Sequence, residues 1–184
     1  RPGPIQGTGV LFSEAIPGAV PPEQPEMNPG LASRREIRQY FCPSAMSTTM
    51  NTTYKIAIGA DHAGVDLKET VAELLKAWGH EVTDMGTMTK NSCDYSVASS
   101  IADGTNDRGI LICRSGIGMS IAANRWVGVR AALCRTAPAA ALSRQHNDSN
   151  LLCLASAYVD NESVEDVLDA WLHADFEGGR HERR

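Results

Sequence analysis

From residue 54 onward, apolar positions alternate between two spacings. The segment YKIAIG (54–59) is a short apolar run of strand length. In residues 65–78, Leu67, Val71, Leu74, Leu75 and Trp78 fall at helical spacing with charged residues between them, and Gly79 supplies a stop. HEVTDMG (80–86) predicts a second, more polar strand, and residues 94–103 a helix. GILIC (109–113) predicts the third strand, with a short small-residue helix over 116–124. VGVRAAL (127–133) predicts the fourth strand and 136–145 a helix after it; NLLCLAS (150–156) predicts the fifth. The last helix, 162–172, sets Val164, Val167, Leu168, Trp171 and Leu172 on one stripe.

Five strand-then-helix units imply an α/β protein. Parallel neighbours need crossovers, and the crossovers here are helices, so a five-stranded parallel sheet covered on both faces is expected. In such sheets ligands bind beyond the carboxyl ends of the strands, at a switch point. GADHAG, with Asp61 and His62, follows the first strand and CRSGIG follows the third, while SRQHND ends the helix that leads into strand five. Functional residues are therefore expected in these three segments.

Residues 1–50 follow no such spacing. Eight of the nine prolines lie in the first 43 residues, so residues 1–50 are expected to be an irregular extension and 51–184 the functional domain. Met46 and Met50 stand just before the first strand and would serve as starts, with the upstream part an addition. The segment has no apolar core of a signal peptide, and no stretch of the chain approaches a membrane span.

The net charge of −5 belongs to the body, which carries 13 basic and 18 acidic residues. That balance argues against nucleic acid, which needs a basic face. Five cysteines with no C-x-x-C pair fit neither a disulfide framework nor a zinc site, so a reduced, cytoplasmic protein without metal is expected.

Known phosphate motifs fail on inspection. GADHAG has Val65 and Asp66 where a P-loop needs Lys and Ser or Thr. GIGMSI lacks the third glycine of a dinucleotide fingerprint and follows the wrong strand. What remains is Cys113 at a strand end, before a glycine turn and a helix. It is either a small buried hydrophobe or a thiol favoured as thiolate by the helix N-terminus, with the N–H groups of 114–118 as an anion cradle. Asp61 suits helix capping or a site equally, whereas His62 on a βα turn suits a site. His146 and Asn147 would serve as a C-terminal cation and a left-handed cap. Arg180, His181, Arg183 and Arg184 are either a frayed end or a phosphate cluster.

Taken together, IGADHAG, DY (94–95), GILICRSGIGMSIAAN, LSRQHNDSN and EGGRHERR resemble the ribose-5-phosphate isomerase type B family, which includes galactose-6-phosphate and allose-6-phosphate isomerases. The motifs run in order over residues 54–184. The resemblance implies a Rossmann-like three-layer fold, no cofactor, no metal, and a homodimer with shared active sites. It implies an aldose–ketose isomerase acting on a small sugar phosphate, ribose 5-phosphate and ribulose 5-phosphate foremost. Cys113 matches the proton-shuttling cysteine and Ser115 the hydroxyl beside it. Gly116 and Gly118 match the anion hole, His146 the ring-opening histidine and Asp61 its assistant. His62, Tyr95, Asn147, Arg180 and Arg184 match substrate or phosphate contacts. Relatives without the cysteine use a Glu where this chain has Met119. Two residues depart from the pattern: Arg114 stands where Gly is usual, and Ser96 where Pro is common. A six-carbon aldose 6-phosphate isomerase, a non-catalytic sugar-phosphate binder and a thiol enzyme attacking covalently are the alternatives.

Overall fold

The computed structural model describes residues 52–87, 93–159 and 161–184. Five strands form one parallel sheet: β1 (Lys55–Ala60), β2 (Glu81–Thr87), β3 (Arg108–Cys113), β4 (Ala131–Leu133) and β5 (Leu151–Ala155). Their order is β2-β1-β3-β5-β4. Between and after them run α1 (Val65–Ala77), α2 (Cys93–Ala102), α3 (Ile117–Ala123), α4 (Ala137–Asn147) and α5 (Asn161–His173), and a 3-10 turn, Gly179–His181, follows. From β1 the chain crosses to β2 on one side, and from β3 to β4 on the other. The switch point therefore falls between β1 and β3.

Strand side chains alternate between two cores. Ile56, Ile58, Ile110, Ile112, Leu152 and Leu154 face α1, α4 and α5. Ala57, Leu111, Cys113, Leu151 and Cys153 face α2 and α3. Three layers result, as the period-two and helical spacings predict. On α1 the buried stripe is Leu67, Val71 and Leu75, with Lys68 beside it in a pair with Asp84 at 2.7 Å. Burying one such Leu or Val contributes ~1.5–3 kcal/mol. Gly79, at φ +86°, turns the chain out of α1 toward β2. On α5, Trp171 is fully buried and its Nε1 donates to Ser149 Oγ at 2.9 Å.

The fourth strand is shorter than its sequence predicts, three residues rather than 127–133. Gly128 adopts φ +84° and Val127 is 94% exposed. Two side-chain amides take over the backbone that a ladder would use. Asn150 bonds Arg130 N–H and Gly128 C=O, and Asn124 bonds Ala131 N–H and C=O, all at 2.7–2.9 Å. The apolar alternation of Val127 and Val129 is real, but these bonds outcompete pairing.

Candidate active site

At the carboxyl edge, the loops after β1, β3 and β5 are laced together. Asp61 N–H donates to Ile112 C=O (3.0 Å), Ser156 N–H to Cys113 C=O (2.9 Å) and Ser156 Oγ to Ala63 C=O (2.8 Å). Gly64 lies so close to Ile112 that a Cβ would come within 2.8 Å of its carbonyl. Asp61 Oδ1 accepts from Ala63 N–H at 2.9 Å. This closes a turn rather than capping α1, whose N-cap is Gly64, so the capping expectation gives way to an Asx turn. His62 is exposed at the same edge.

Cys113 closes β3 with only 7% of its surface exposed. Gly116, left-handed at φ +73°, turns the chain back so that its N–H points at Cys113 Sγ, 3.1 Å away. Ser115 Oγ accepts from Ile117 N–H at 3.3 Å. Two of the N–H groups expected in an anion cradle are thus used within the loop. Those of Ser115 and Gly118 have no acceptor among the described residues and remain for an oxyanion. Met119 packs in the same core cluster as Cys113. Cys134 and Cys153 are buried without such a loop. Burial pushes both thiols up, opposed at Cys134 by a hydrogen bond to Ser143 and reinforced at Cys153 by the neighbouring sulfurs of Cys113 and Cys134.

A second group of side chains gathers where α4 ends and β5 begins. Arg144 Nη1 donates to Asp148 Oδ1 and Ser149 C=O, each at 2.7 Å, fixing the turn. The left-handed cap is Asp148, at φ 45°, not Asn147, which is the last residue of α4. Asn147 C=O accepts from Arg130 Nε and its Oδ1 from Arg184 Nη1 at 3.2 Å, while Arg130 Nη1 donates to Arg184 C=O at 3.1 Å. An open cavity of about 400 Å³ lies beside Arg130, Asn147 and Ser149.

The tail is docked, not frayed. Glu177 N–H donates to Gln145 C=O at 3.0 Å, and His181 is 4% exposed. The His181 ring stacks on His146 with centroids 4.3 Å apart and planes 7° apart. Glu177 Oε2 lies 3.7 Å from His146 Nε2 and 3.8 Å from His181 Nε2. These three donors lie within 4.8 Å of one another, as metal ligands would. A metal bonds in the plane of each imidazole, however, and two parallel stacked planes share no such point, so the rings as placed do not suit one ion.

The two groups are on opposite edges of the sheet. Cys113 pairs with Ala155 at the carboxyl end of β5, whereas His146 and Asn147 precede Leu151 at its amino end. Four strand rises separate those ends, ~13 Å. Within one chain, SRQHND and CRSGIG therefore do not share an edge. A helix runs antiparallel to the strands it connects, and its C-terminus returns to the amino edge.

Residues 56–184 match the family model described as ribose/galactose isomerase. The chain belongs to the ribose/galactose isomerase family. It is 47% identical over 135 residues to ribose-5-phosphate isomerase B of Escherichia coli, covering 71% of this chain and 91% of that one. Ribose-5-phosphate isomerase B of Clostridium thermocellum superposes with a TM-score of 0.67 at 45% identity, over 71% of this chain and 91% of that one. The Mycoplasma genitalium enzyme with bound ribulose-5-phosphate gives 0.66 at 39% identity, over 71% and 90%.

Within this isomerase-family fold, Asp61, His62, Cys113, Ser115, Gly116 and Gly118 occupy the carboxyl edge. His146, Asn147, Arg180 and Arg184 occupy the amino edge. Tyr95 lies in the first turn of α2, its side chain outside the described residues. Arg114 is exposed and does not adopt a positive φ, so the usual glycine is not demanded by backbone conformation here. Sequence reasoning missed Asn124, Arg130 and Glu177. Asn124, Arg130 and the Glu177 N–H act through bonds to distant backbone, and the Glu177 carboxylate lies beside the distant His146 as well as the nearby His181, which no local pattern announces.

Proposed function

We propose that the protein interconverts ribose 5-phosphate and ribulose 5-phosphate through an enediolate, and that residues 51–184 form the isomerase domain. The observation that carries this is Cys113, nearly buried at the switch point with an N–H aimed at its sulfur and two N–H groups in the same loop that have no acceptor among the described residues. In the open-chain aldose, the Cys113 thiolate takes the C2 proton. The C–H electron pair forms the C1–C2 double bond, and the carbonyl electrons move onto O1. The N–H groups of Ser115 and Gly118 receive that charge. Cys113 returns the proton to C1 as the O2–H proton passes through Ser115 or Asp61 to O1, which becomes the C1 hydroxyl, and C2 becomes the carbonyl. His146 opens the furanose by protonating the ring oxygen as Asp61, its assistant, takes the proton of the anomeric O–H. Asn147, Arg180 and Arg184 hold the phosphate end, with His62 and Tyr95.

His146 cannot serve the Cys113 of its own chain across the length of β5, so the proposal requires a second copy. The active unit is a homodimer with each site shared. Ile117 and Ile121, 50% and 56% exposed and four residues apart on α3 beside the Cys113 loop, give that contact an apolar face. Cys113, Cys134 and Cys153 are free thiols, as suits the cytoplasm, and no helix of the described residues is long and apolar enough to cross a membrane.

Turnover of ribose 5-phosphate set against allose 6-phosphate tests the assignment. Faster turnover of the pentose is expected, and activity on the hexose alone would move the assignment to six-carbon sugars. No turnover of either, with sugar phosphate still bound, would leave a binding protein. His146→Asn is expected to lose ribose 5-phosphate conversion but to keep exchanging the C1 hydrogens of ribulose 5-phosphate with solvent deuterium. That ketose cannot close a furanose, so its exchange needs no ring opening.

A further inference from the structure

His181 lies against His146, and the whole tail is shaped to put it there. Gly178 and Gly179 are both left-handed, at φ 64° and 58°, and the 3-10 turn that follows folds the ring inward. Arg180 Nε donates to His181 Nε2 at 3.2 Å, so Nε2 carries a lone pair and the proton is on Nδ1. Burial, then the neighbouring His146, Arg184 and Arg180, hold its pKa below the usual histidine value, against the pull of Glu177. The ring is neutral. Its Nδ1 is buried with no hydrogen-bond partner among the described residues. Hydrogen bonding at Nδ1 therefore does not explain why the ring is inside; the parallel stack on His146 does.

We infer that His181 is a positioning residue for His146: a neutral aromatic floor, 4.3 Å below the His146 ring, that fixes the plane of the imidazole and keeps water from one of its faces. This rests on His146 being the ring-opening group. A ring free to tilt about its side-chain bonds would meet the sugar oxygen in few of its orientations; a stacked ring presents the same edge at every encounter. His146 itself is 29% exposed at its side chain, so one part of the ring stays open to a ligand while His181 covers another. Flatness and size are what the floor requires, and a phenyl ring has both.

The test uses the full chain, two variants and two assays. One assay follows conversion of ribose 5-phosphate; the other follows solvent-deuterium exchange into C1 of ribulose 5-phosphate. His181→Ala is expected to lower kcat for ribose 5-phosphate on the order of 10- to 100-fold while leaving KM and exchange within about twofold. His181→Phe is expected to recover most of the lost kcat, because it keeps the stack. If Phe is as impaired as Ala, if exchange falls in parallel with conversion in the folded Phe variant, or if Ala converts ribose 5-phosphate normally, the inference is overturned. Should His181→Ala fail to fold, the Phe variant decides: near-normal conversion supports the floor, and lost conversion with exchange retained overturns it. His146→Asn separates the two claims. Normal conversion in that variant sinks the ring-opening role, whereas lost conversion beside an unimpaired His181→Ala sinks the floor alone.

Discussion

Cys113 differs from Cys134 and Cys153 in what surrounds its sulfur. It faces a loop with an N–H at 3.1 Å, and the other two face core side chains. Native protein treated with iodoacetamide near neutral pH is expected to alkylate Cys113 before Cys134 and Cys153, and to lose activity in step with that modification. Labelling of Cys134 or Cys153 ahead of Cys113 would contradict the account. The buried thiols have a second consequence. Their folded pKa values are raised, so the stability they contribute is complete below the ordinary thiol range. It is lost as pH climbs past ~8.5, where the unfolded chain begins to release protons. Each such thiol accounts for at most about 1.4 kcal/mol per pH unit. Urea melts at pH 7.5 and 9.5 should show the decline, and Cys153→Ala should flatten its slope. Arg114 is the residue where the chain departs from its family in the loop itself. Its negative φ and exposed side chain leave the loop's backbone as it is.

At the scale of elements, the turn from β3 into α3 depends on one glycine. Gly116 is left-handed, and a Cβ there would run into Leu133 Cδ1 and approach Leu154 C=O at 3.3 Å. Gly116→Ala is expected to destabilise by about 1–3 kcal/mol and to reduce turnover sharply, because the N–H at Cys113 Sγ moves with the turn. A thermal melt and an assay check both; unchanged values would show that the loop is not fixed as described. All five described strands and all five described α-helices were legible in outline, because two alternating cores impose period two on the strands and helical spacing on their covers; the 3-10 turn at Gly179–His181 and the bounds of β4 were not. What was not legible came from side chains bonding distant backbone. Asn124 and Asn150 shorten β4, and Arg144 draws Asp148, rather than Asn147, into the left-handed cap. The motifs around Cys113 could be read from sequence, since a strand end, a glycine turn and a thiol are contiguous. The stack of His146 on His181 joins residues 35 apart through two glycine turns, and nothing local to either histidine signals it.

For the whole molecule, the parallel sheet decides what one chain can do alone. Its carboxyl edge carries Cys113, the proposed proton-transfer group, and its amino edge His146, Asn147, Arg180 and Arg184, the proposed ring-opening and phosphate groups, a full strand apart. Every strand and helix described begins at or after Lys55. Removing residues 1–50 is accordingly expected to leave folding and turnover intact, checked by circular dichroism and the isomerase assay; an inactive or insoluble product would give the extension a role in the body. The central claim is that Cys113 of one copy and His146 of another act on the same sugar. Mixing inactive Cys113→Ala with inactive His146→Asn protein, under conditions that exchange subunits, tests it most directly. If sites are shared, each mixed dimer regains one intact site, and ribose 5-phosphate turnover should recover to about a quarter of the native rate at equal mixing. If both groups served a site within one chain, every site in every mixed dimer would still lack one of them, and the mixture would stay as inactive as its parents.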